Sequence, residues 1–293
     1  MIAPIPSRPA GSYDEAVERA RAVMALDGEA ILPVAHTALL EHGKRTPLAV
    51  VLFHGITNNP AQYSEFAPLL HARGVNVFVP RMPEHGYKNR MWSGIAKITA
   101  EQILTAATEA VDIAAGLGER VGVLGISMGG SLSAYFGQHR ALDVAVPVAP
   151  DFSLLQLPYG LSRLIGSIML ALPNFFLWWD ARVRDKQEPF TAYPRFSTHA
   201  LMQSLRIGDD VHAAVRRERQ LAKRIVTVVN RCDPAVNNEV TQSVVTEWMG
   251  WNRSGTEYVV MRNLPENHDI VDPRNPNART KLVYPKLLDI LTA

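Results

Sequence analysis

Short apolar runs recur along this chain of 293 residues, and they constrain its fold more than any other feature. The runs are Leu48–Phe53, Val75–Val79, Val121–Ile126, Val144–Val148, Ile225–Val229 and Tyr258–Met261. Most are rich in β-branched residues, and their apolar positions are largely continuous, which is typical of strands buried on both faces. Because amphipathic segments lie between them, the alternation predicts right-handed strand–helix–strand units. The expected fold class is α/β, with a mostly parallel sheet and helices on both faces.

The segments between the runs carry signals for helices. Ser12 and Glu15 have the spacing of a capping box before an apolar stripe, which predicts a helix near the N-terminus. A second helix is expected after Ser93, which could cap it, and should end near Gly116 or Gly118.

The strand–helix rhythm stops between about Asp151 and Lys223. This part contains no convincing strand, and its stretch Leu164–Trp179 is apolar and uncharged. Because a structureless loop of that length is rare inside a compact domain, we expect a helical insertion over the ligand edge of the sheet. The expected divisions are an N-terminal helix and leading segment (1–45), a first half of the core (46–150), a helical cap or lid (151–222) and a second half of the core (223–293).

Composition and motifs exclude several classes of protein. Lys and Arg total 30 against 28 Asp and Glu, and this balance argues against nucleic acid as a partner. Cys232 is the single cysteine, so no intrachain disulfide or multi-cysteine zinc site can form. The apolar stretch is shorter than the ~20 residues of a membrane-spanning helix, and the N-terminus lacks the order of a signal peptide. We expect no integral membrane segment and a cytoplasmic location. We expect no metal or other cofactor either, because metal-binding, phosphate-binding and dinucleotide motifs are missing.

Gly125, Ser127 and Gly129 form a Gly-x-Ser-x-Gly pattern directly after a predicted strand and directly before a predicted helix. A nucleophile on such a tight turn has strained backbone angles, and side chains two positions away on either side would collide. The turn lifts the hydroxyl clear of the sheet and places it at a helix N-terminus, which favours developing negative charge. The pattern therefore indicates a nucleophilic serine at Ser127.

A serine hydroxyl needs a general base, and the base needs a carboxylate that orients it. In folds with this turn, the acid and then the histidine follow the serine along the chain. His268 follows the last predicted strand, in the loop where such a base is expected. Asp233, after the strand that precedes that one, is the preferred acid, and Asp151 is the alternative. Asp233 could also serve as a helix N-cap, because Pro234 follows it.

Attack on a carbonyl creates an oxyanion that needs two preorganised N–H donors. We expect one from the backbone of Met128, the residue after the nucleophile. The loop after Leu48–Phe53 should supply the other, because Gly55 lets the N–H of Ile56 turn inward. His54, at the end of that strand, is interpreted as a residue that braces the loop.

Together these residues resemble the α/β-hydrolase superfamily, and within it bacterial carboxylesterases and monoacylglycerol lipases, near the serine aminopeptidase-like hydrolases. The matching pieces are Leu52–Thr57, Pro80–Gly86, Gly125–Gly130, Asp233–Val236 and His268–Ile270. The resemblance covers residues 45–150 and 222–292. It implies the α/β-hydrolase fold with a helical cap inserted after strand six, Ser127, Asp233 and His268 as a catalytic triad, and Ile56 and Met128 as oxyanion donors.

The predicted reaction is hydrolysis of a small-molecule carboxylic ester with an apolar acyl group, through an acyl-enzyme intermediate. The same triad would serve an amide, peptide or thioester hydrolase or an acyltransferase, and these alternatives stay open. A peptidase acting on N-termini would need an acidic anchor such as Asp180, Asp185 or Glu188. A further hypothesis is a hydrolase-fold binding protein without turnover. The apolar cap could pack on the core, line an acyl pocket, or form an interfacial or homodimer surface.

Overall fold

The computed structural model describes residues 2–154 and 157–293. Its first half contains α1 (Tyr13–Met24), β1 (Ala38–Leu40), β2 (Thr46–Phe53), α2 (Phe66–His71), β3 (Asn76–Val79), α3 (Ala100–Leu117), β4 (Gly118–Ile126), α4 (Met128–His139) and β5 (Val144–Val148). Its second half contains α5 (Tyr159–Ala171), β6 (Phe176–Trp178), β7 (Arg195–Ser197), α6 (Thr198–Ala214), β8 (Arg224–Asn230), α7 (Asn238–Trp251), β9 (Thr256–Met261) and α8 (Thr280–Thr292).

The main sheet has the strand order β1-β3-β2-β4-β5-β8-β9. Every neighbouring pair is parallel except β1 with β3 at the edge, which is antiparallel. Each apolar run predicted as a strand lies in this sheet. β1 was not predicted, because it has three residues and all of them are only half-buried.

Helices cover both faces of the sheet, as predicted. Alternate residues of β2 show this, since Ala49, Val51 and Phe53 pack into the layer formed with α1, α3, α4, α6 and α7. Leu48, Val50 and Leu52 pack into the opposite layer, with α2 and α8. The prediction of strands buried on both faces is therefore confirmed for this central strand, and the predicted α/β class with a mostly parallel sheet is confirmed.

The helix caps differ from prediction in two places. Ser12 accepts the Glu15 N–H at 3.1 Å, but the Glu15 side chain accepts from Gly11 instead of completing a capping box. The predicted cap at Ser93 is wrong, because residues 94–97 form a 3-10 helix that ends in extended backbone at residue 98. α3 begins after Thr99, which forms a full capping box with Gln102.

In its described residues, the segment between β5 and β8 contains two α-helices, a 3-10 helix (Arg184–Lys186) and also a short antiparallel hairpin of β6 and β7. The expectation of no strand here is wrong, since strands of three residues are too short to give a clear pattern. The segment follows β5, which is the fifth strand of this chain, whereas the resemblance implied a position after a sixth. α6 packs on α4 in the core, while α5 and β7 contact α6. Residues 155 and 156 of the proposed cap lie outside the described residues.

One face of α5 is apolar and exposed. Leu161, Leu164, Ile168 and Leu172 repeat at helical spacing, and each is exposed, as are Phe175, Leu177 and Trp179 after the helix. This face is therefore not packed on the core. Among the described residues, no helix combines the length and the apolar character that crossing a bilayer requires.

Candidate active site

Ser127 lies on the sharp turn that joins β4 to α4. Its backbone angles are φ 58° and ψ −119°, a conformation that costs a non-glycine residue on the order of 1–3 kcal/mol. The Ser127 N–H donates to the Val148 carbonyl at 3.1 Å, and the Ser127 carbonyl accepts the Ser131 N–H at 2.9 Å. The end of β5 and the first turn of α4 thus hold the strained residue in place.

Two glycines let the backbone pass closely at this turn. A Cβ atom on Gly125 would overlap the Gly129 carbonyl, and one on Gly129 would overlap the Phe53 carbonyl at the end of β2. The steric reason given for both glycines in the pattern therefore holds in the structure. The same packing brings the next loop against the serine, since a Cβ on Gly55 would lie 3.6 Å from the Ser127 Cβ.

The predicted acid and base are hydrogen-bonded to each other. His268 Nδ1 lies 2.8 Å from Asp233 Oδ2, and the Asp233 side chain is fully buried. Asp233 Oδ1 accepts the N–H groups of Ala235 at 2.8 Å and Val236 at 3.3 Å. The helix N-cap interpretation of Asp233 is wrong, because these bonds close a turn and α7 is capped by Asn237. With Nδ1 facing the carboxylate, Nε2 is the ring nitrogen that can accept a proton.

The surroundings of His268 raise its pKa. Burial disfavours the charged imidazolium, but the Asp233 carboxylate attracts it and accepts its hydrogen bond, and Asp269 and Asp151 add to the attraction. The net effect is a pKa of His268 above its ordinary value. A histidine with a raised pKa is a stronger base once deprotonated, which suits proton removal from a hydroxyl.

A cavity of about 620 Å³ opens over the nucleophile turn. Ser127, His268 and Ile56 all line it, so the structure brings these three predicted site residues together. Met128 is the first residue of α4, and the first N–H groups of a helix have no acceptor within the helix. Asp233 lies behind His268 and bonds its far ring nitrogen.

Asp151, the alternative acid, has different partners. Its two carboxylate oxygens accept hydrogen bonds from the hydroxyls of Ser131 and Ser204, each at 2.5 Å. Burial raises the pKa of Asp151 to about 6, against the effect of these two hydrogen bonds. The carboxylate that contacts the His268 ring is that of Asp233, so the geometry favours Asp233 over Asp151 as its orienting group.

Side-chain amides that the sequence analysis did not identify hold the histidine loop (residues 262–279). Asn230, the last residue of β8, donates from Nδ2 to the carbonyls of Pro265 at 2.8 Å and Asn267 at 2.7 Å. The strand that leads to Asp233 therefore also fixes the backbone next to His268. The only signal in the sequence is an amide residue at the end of a predicted strand.

Two further amide side chains, those of Gln62 and Asn58, connect the histidine loop to the β2 loop (residues 54–59). Gln62 accepts the Gly55 N–H at 3.0 Å and donates to Asp269 Oδ2 at 2.7 Å. Asn58 Nδ2 donates to the carboxylates of Asp269 and Asp272, each at 3.1 Å. Burial, with the neighbouring Asp272 charge, raises the pKa of Asp269 to about 6. These contacts fix the position of the histidine loop relative to the β2 loop.

Two histidines brace the β2 loop from the core side. His54 Nδ1 donates to the Gly55 carbonyl at 2.9 Å, and its Nε2 accepts the Met82 N–H at 3.0 Å. His85 Nε2 donates to the Ile56 carbonyl at 2.6 Å. Burial lowers the pKa of both histidines, and the neutral His54 ring fits its one donor and one acceptor contact. The predicted bracing role of His54 is confirmed.

Residues of the proposed cap form the far wall of the cavity. Trp179, Tyr193, Asp180 and Glu188 line it, whereas Asp185 does not. Asp180 forms an ion pair with Arg182 at 3.1 Å. Within residues 2–154 and 157–293, no three His, Cys, Asp or Glu side chains are grouped in a way that could hold a metal ion.

A family model described as the alpha/beta hydrolase family matches residues 50–274. No curated protein matches the sequence. Among solved structures, a metagenome-derived lipolytic enzyme is 17% identical with a TM-score of 0.66, and the match covers 89% of this chain and 99% of that chain.

Two further structures are monoacylglycerol-type lipases. The monoacylglycerol lipase of Paleococcus ferrophilus is 15% identical with a TM-score of 0.65, covering 87% of this chain and 97% of that one. A soluble variant of monoglyceride lipase from Saccharomyces cerevisiae is 12% identical with a TM-score of 0.62, covering 87% and 90%. At such identities the likeness concerns the fold, and function must be argued from the site.

Proposed function

Because the chain belongs to the alpha/beta hydrolase family, we propose that it is a serine hydrolase that cleaves carboxylic esters through an acyl-enzyme intermediate. The observation that carries the proposal is the 2.8 Å contact between His268 and Asp233 in a cavity that Ser127 also lines. The strained turn at Ser127 and the raised pKa of His268 support it.

In the proposed reaction, His268 Nε2 takes the hydroxyl proton as Ser127 Oγ attacks the ester carbonyl carbon. The carbonyl oxygen becomes an oxyanion that accepts hydrogen bonds from the N–H groups of Ile56 and Met128. The imidazolium then gives its proton to the departing alkoxide, which leaves as the alcohol. His268 next takes a proton from a water that attacks the acyl-enzyme carbonyl carbon, and it gives this proton to Ser127 Oγ as the bond to the acyl group breaks and the acid leaves. Asp233 keeps the ring in the right tautomer and stabilises its positive charge throughout.

The proposed substrate is an ester with an apolar acyl group. Ile126, Trp179 and Pro194 are apolar residues in the wall of the cavity that Ser127 also lines. Three structural neighbours are described as a lipolytic enzyme and two monoacylglycerol-type lipases, which is consistent with this class. Of the acidic residues that could anchor a substrate ammonium, Asp180 is paired with Arg182, whereas Glu188 also lines the cavity. The choice between an ester and an aminoacyl amide is therefore left to a comparison of substrates.

Ser127→Ala tests the nucleophile. We expect hydrolysis of p-nitrophenyl butyrate to fall by about 10⁴-fold or more, and labelling by a fluorophosphonate probe to disappear. Ser133→Ala is the matched control, since Ser133 is a buried serine of α4 whose hydroxyl finds no hydrogen-bond partner among the residues that the structure describes. Wild-type turnover in a folded Ser127→Ala protein would contradict the proposal.

A substrate panel separates ester hydrolysis from the other reactions of the same triad. Matched p-nitrophenyl esters, aminoacyl p-nitroanilides and acyl thioesters should give the largest kcat/KM with the esters. The free imidazole is the base, so kcat/KM should fall on the acid side, with its midpoint above pH 6.5 because the pKa of His268 is raised. A larger kcat/KM for the amides would move the assignment to a peptidase. Fluorophosphonate labelling without turnover of any class would indicate a binding protein.

A further inference from the structure

Described residues of the proposed cap make three polar contacts with the β2 loop, which carries the proposed oxyanion donor Ile56. Trp179 Nε1 donates to Thr57 Oγ1 at 2.9 Å. The Tyr193 N–H donates to the Thr57 carbonyl at 2.8 Å, and Asn59 Nδ2 donates to the Thr191 carbonyl at 2.7 Å. Thr57, the residue directly after the proposed donor, is thus held by the cap through both its side chain and its backbone.

The core holds the same loop from the other side. The Gly55 carbonyl, in the peptide plane that contains the Ile56 N–H, accepts from His54 Nδ1 and from the Asn58 N–H at 3.0 Å. The Ile56 carbonyl accepts from His85 Nε2. These bonds hold two successive peptide planes, the second of which joins Ile56 to the Thr57 nitrogen, but they do not hold the Thr57 carbonyl or hydroxyl. Thr57 is the C-terminal residue of the span 55–57, and its hydroxyl and carbonyl are bonded by Trp179 and Tyr193 of the cap.

The cap edge (residues 185–193) is itself tied to the core. Arg90 donates to the carbonyls of Asp185 at 2.8 Å, Gln187 at 2.7 Å and Ala192 at 2.9 Å. The Tyr193 hydroxyl donates to the Glu84 carbonyl at 3.0 Å. A guanidinium that bonds several carbonyls of one segment restrains the backbone of that segment. The Tyr193 N–H that bonds the Thr57 carbonyl therefore belongs to a restrained segment.

Trp179 has a second contact that sets its orientation. Its ring packs against Phe196 with centroids 4.4 Å apart, and it lines the cavity above Ser127. The indole therefore faces the cavity with its ring and Thr57 with its N–H group. The N–H contact and the wall contact can be separated by substitution, because a phenylalanine keeps an aromatic ring and loses the donor.

We propose that the cap holds the oxyanion donor in its active position, with Trp179 as a positioning residue that acts through Thr57. This proposal rests on the proposed function, since it concerns stabilisation of the oxyanion on Ile56. It makes the cap part of the chemical step as well as a wall of the substrate cavity. Loss of the Trp179–Thr57 contact should lower kcat while KM changes little, because the oxyanion exists only after the attack.

Trp179→Phe and Thr57→Val, each assayed with p-nitrophenyl acetate, test the proposal. The acetyl group is small, so binding to the cap wall should contribute little to its KM. We expect kcat to fall about three- to tenfold in each variant, which is the size of one neutral hydrogen bond, with KM within about twofold of wild type. The double variant should lose no more than either single one. Thr57→Ser, which keeps the hydroxyl, should retain wild-type kcat.

Trp251→Phe is the matched control, since its indole donates to the Val215 carbonyl at 2.7 Å and the residue does not line the cavity. It should keep wild-type kcat. The proposal is overturned if Trp179→Phe and Thr57→Val keep wild-type kcat, if their effects multiply in the double variant, or if only KM changes. A wild-type protein that neither hydrolyses esters nor reacts with a fluorophosphonate would overturn the proposed function first, and this one with it.

Discussion

The nucleophile turn and the histidine loop meet at one cavity, but they are fixed in different ways. The turn at Ser127 depends mainly on residues next to it in the sequence, since Gly125 and Gly129 allow the close approach that its geometry needs, and the Val148 carbonyl adds one tertiary hydrogen bond. The histidine loop runs from residue 262 to 279 without a helix or strand. It is held by the side chains of distant residues, among them Asn230 and Gln62. The geometry of the nucleophile turn therefore depends mainly on local steric requirements, whereas that of the histidine loop depends on tertiary hydrogen bonds.

This difference predicts how each region responds to substitution. A change in the turn should act on the backbone of one residue and on the hydroxyl that it carries. A change among the amides of the histidine loop should move an imidazole whose own residue is untouched. Substitutions in each region therefore test this contrast.

The largest effect is expected from the group that orients His268. In Asp233→Asn, the amide can donate to Nδ1 and stabilise the tautomer whose Nε2 carries the proton and cannot accept another. We expect kcat to fall about 10³–10⁴-fold while the fold is retained. Asp151→Asn is the matched control, because Asp151 is also a buried carboxyl but bonds two serine hydroxyls and not the ring.

Steady-state kinetics of both variants with the same ester decide between the two carboxylates. Asp151→Asn should stay within about threefold of wild-type kcat, since an asparagine can still bond both hydroxyls. The opposite pattern, with a large loss only in Asp151→Asn, would make Asp151 the orienting acid. It would also mean that the contact between His268 and Asp233 does not hold in the working enzyme.

A smaller effect is expected from Asn230. Asn230→Asp keeps the size of the side chain and its acceptor oxygen, but it replaces the two N–H donors to Pro265 and Asn267 with an oxygen that repels their carbonyls. The histidine loop should shift, and kcat should fall about 10- to 100-fold, since small misplacements of a reacting group are costly. Hydrogen exchange should become faster in residues 262–279.

Asn252→Asp is the control for this substitution. Asn252 Nδ2 also donates to a backbone carbonyl, that of Lys223 at 3.3 Å, but on an exposed turn that does not border the cavity. Its kcat should match wild type. If Asn230→Asp also matches wild type, then Asp233 alone is sufficient to position His268, and the contrast between the two regions is smaller than the contacts suggest.

The same contrast explains what the sequence could predict. The central strands were predicted because a parallel sheet buries both faces of each strand, which leaves runs such as Val144–Val148 continuous in apolar residues. The nucleophile turn was predicted because its steric requirement involves neighbours within two residues. The hairpin of β6 and β7 was not predicted, since three-residue strands carry no periodicity.

The side chains that support the site could not be identified from the sequence either. Asn58, Gln62 and Asn230 are amides whose partners in the histidine loop lie 35 or more residues away along the chain. The sequence shows only an Asn or Gln after a strand, and it is the same whether the side chain supports a site or faces solvent. Trp179 illustrates the same problem, because an apolar stretch shows that a surface exists but not which loop it contacts.

The smallest effect concerns backbone strain at the turn, and it tests the local side of the contrast. Ser127→Gly and Ser127→Ala should both be inactive, but the glycine variant removes the Cβ that makes φ 58° unfavourable. We expect its free energy of unfolding to exceed that of Ser127→Ala by about 1 kcal/mol, after the greater entropy of glycine in the unfolded chain is subtracted from the strain. Chemical denaturation of the two variants measures the difference.

The control is the same pair of substitutions at Ser133, which lies at regular helical angles in α4. There the glycine variant should have the lower free energy of unfolding, since glycine inside a helix destabilises by roughly 0.5–1 kcal/mol relative to alanine. Equal stabilities at Ser127 would mean that the turn is not strained by its side chain, and that the two glycines alone account for its geometry.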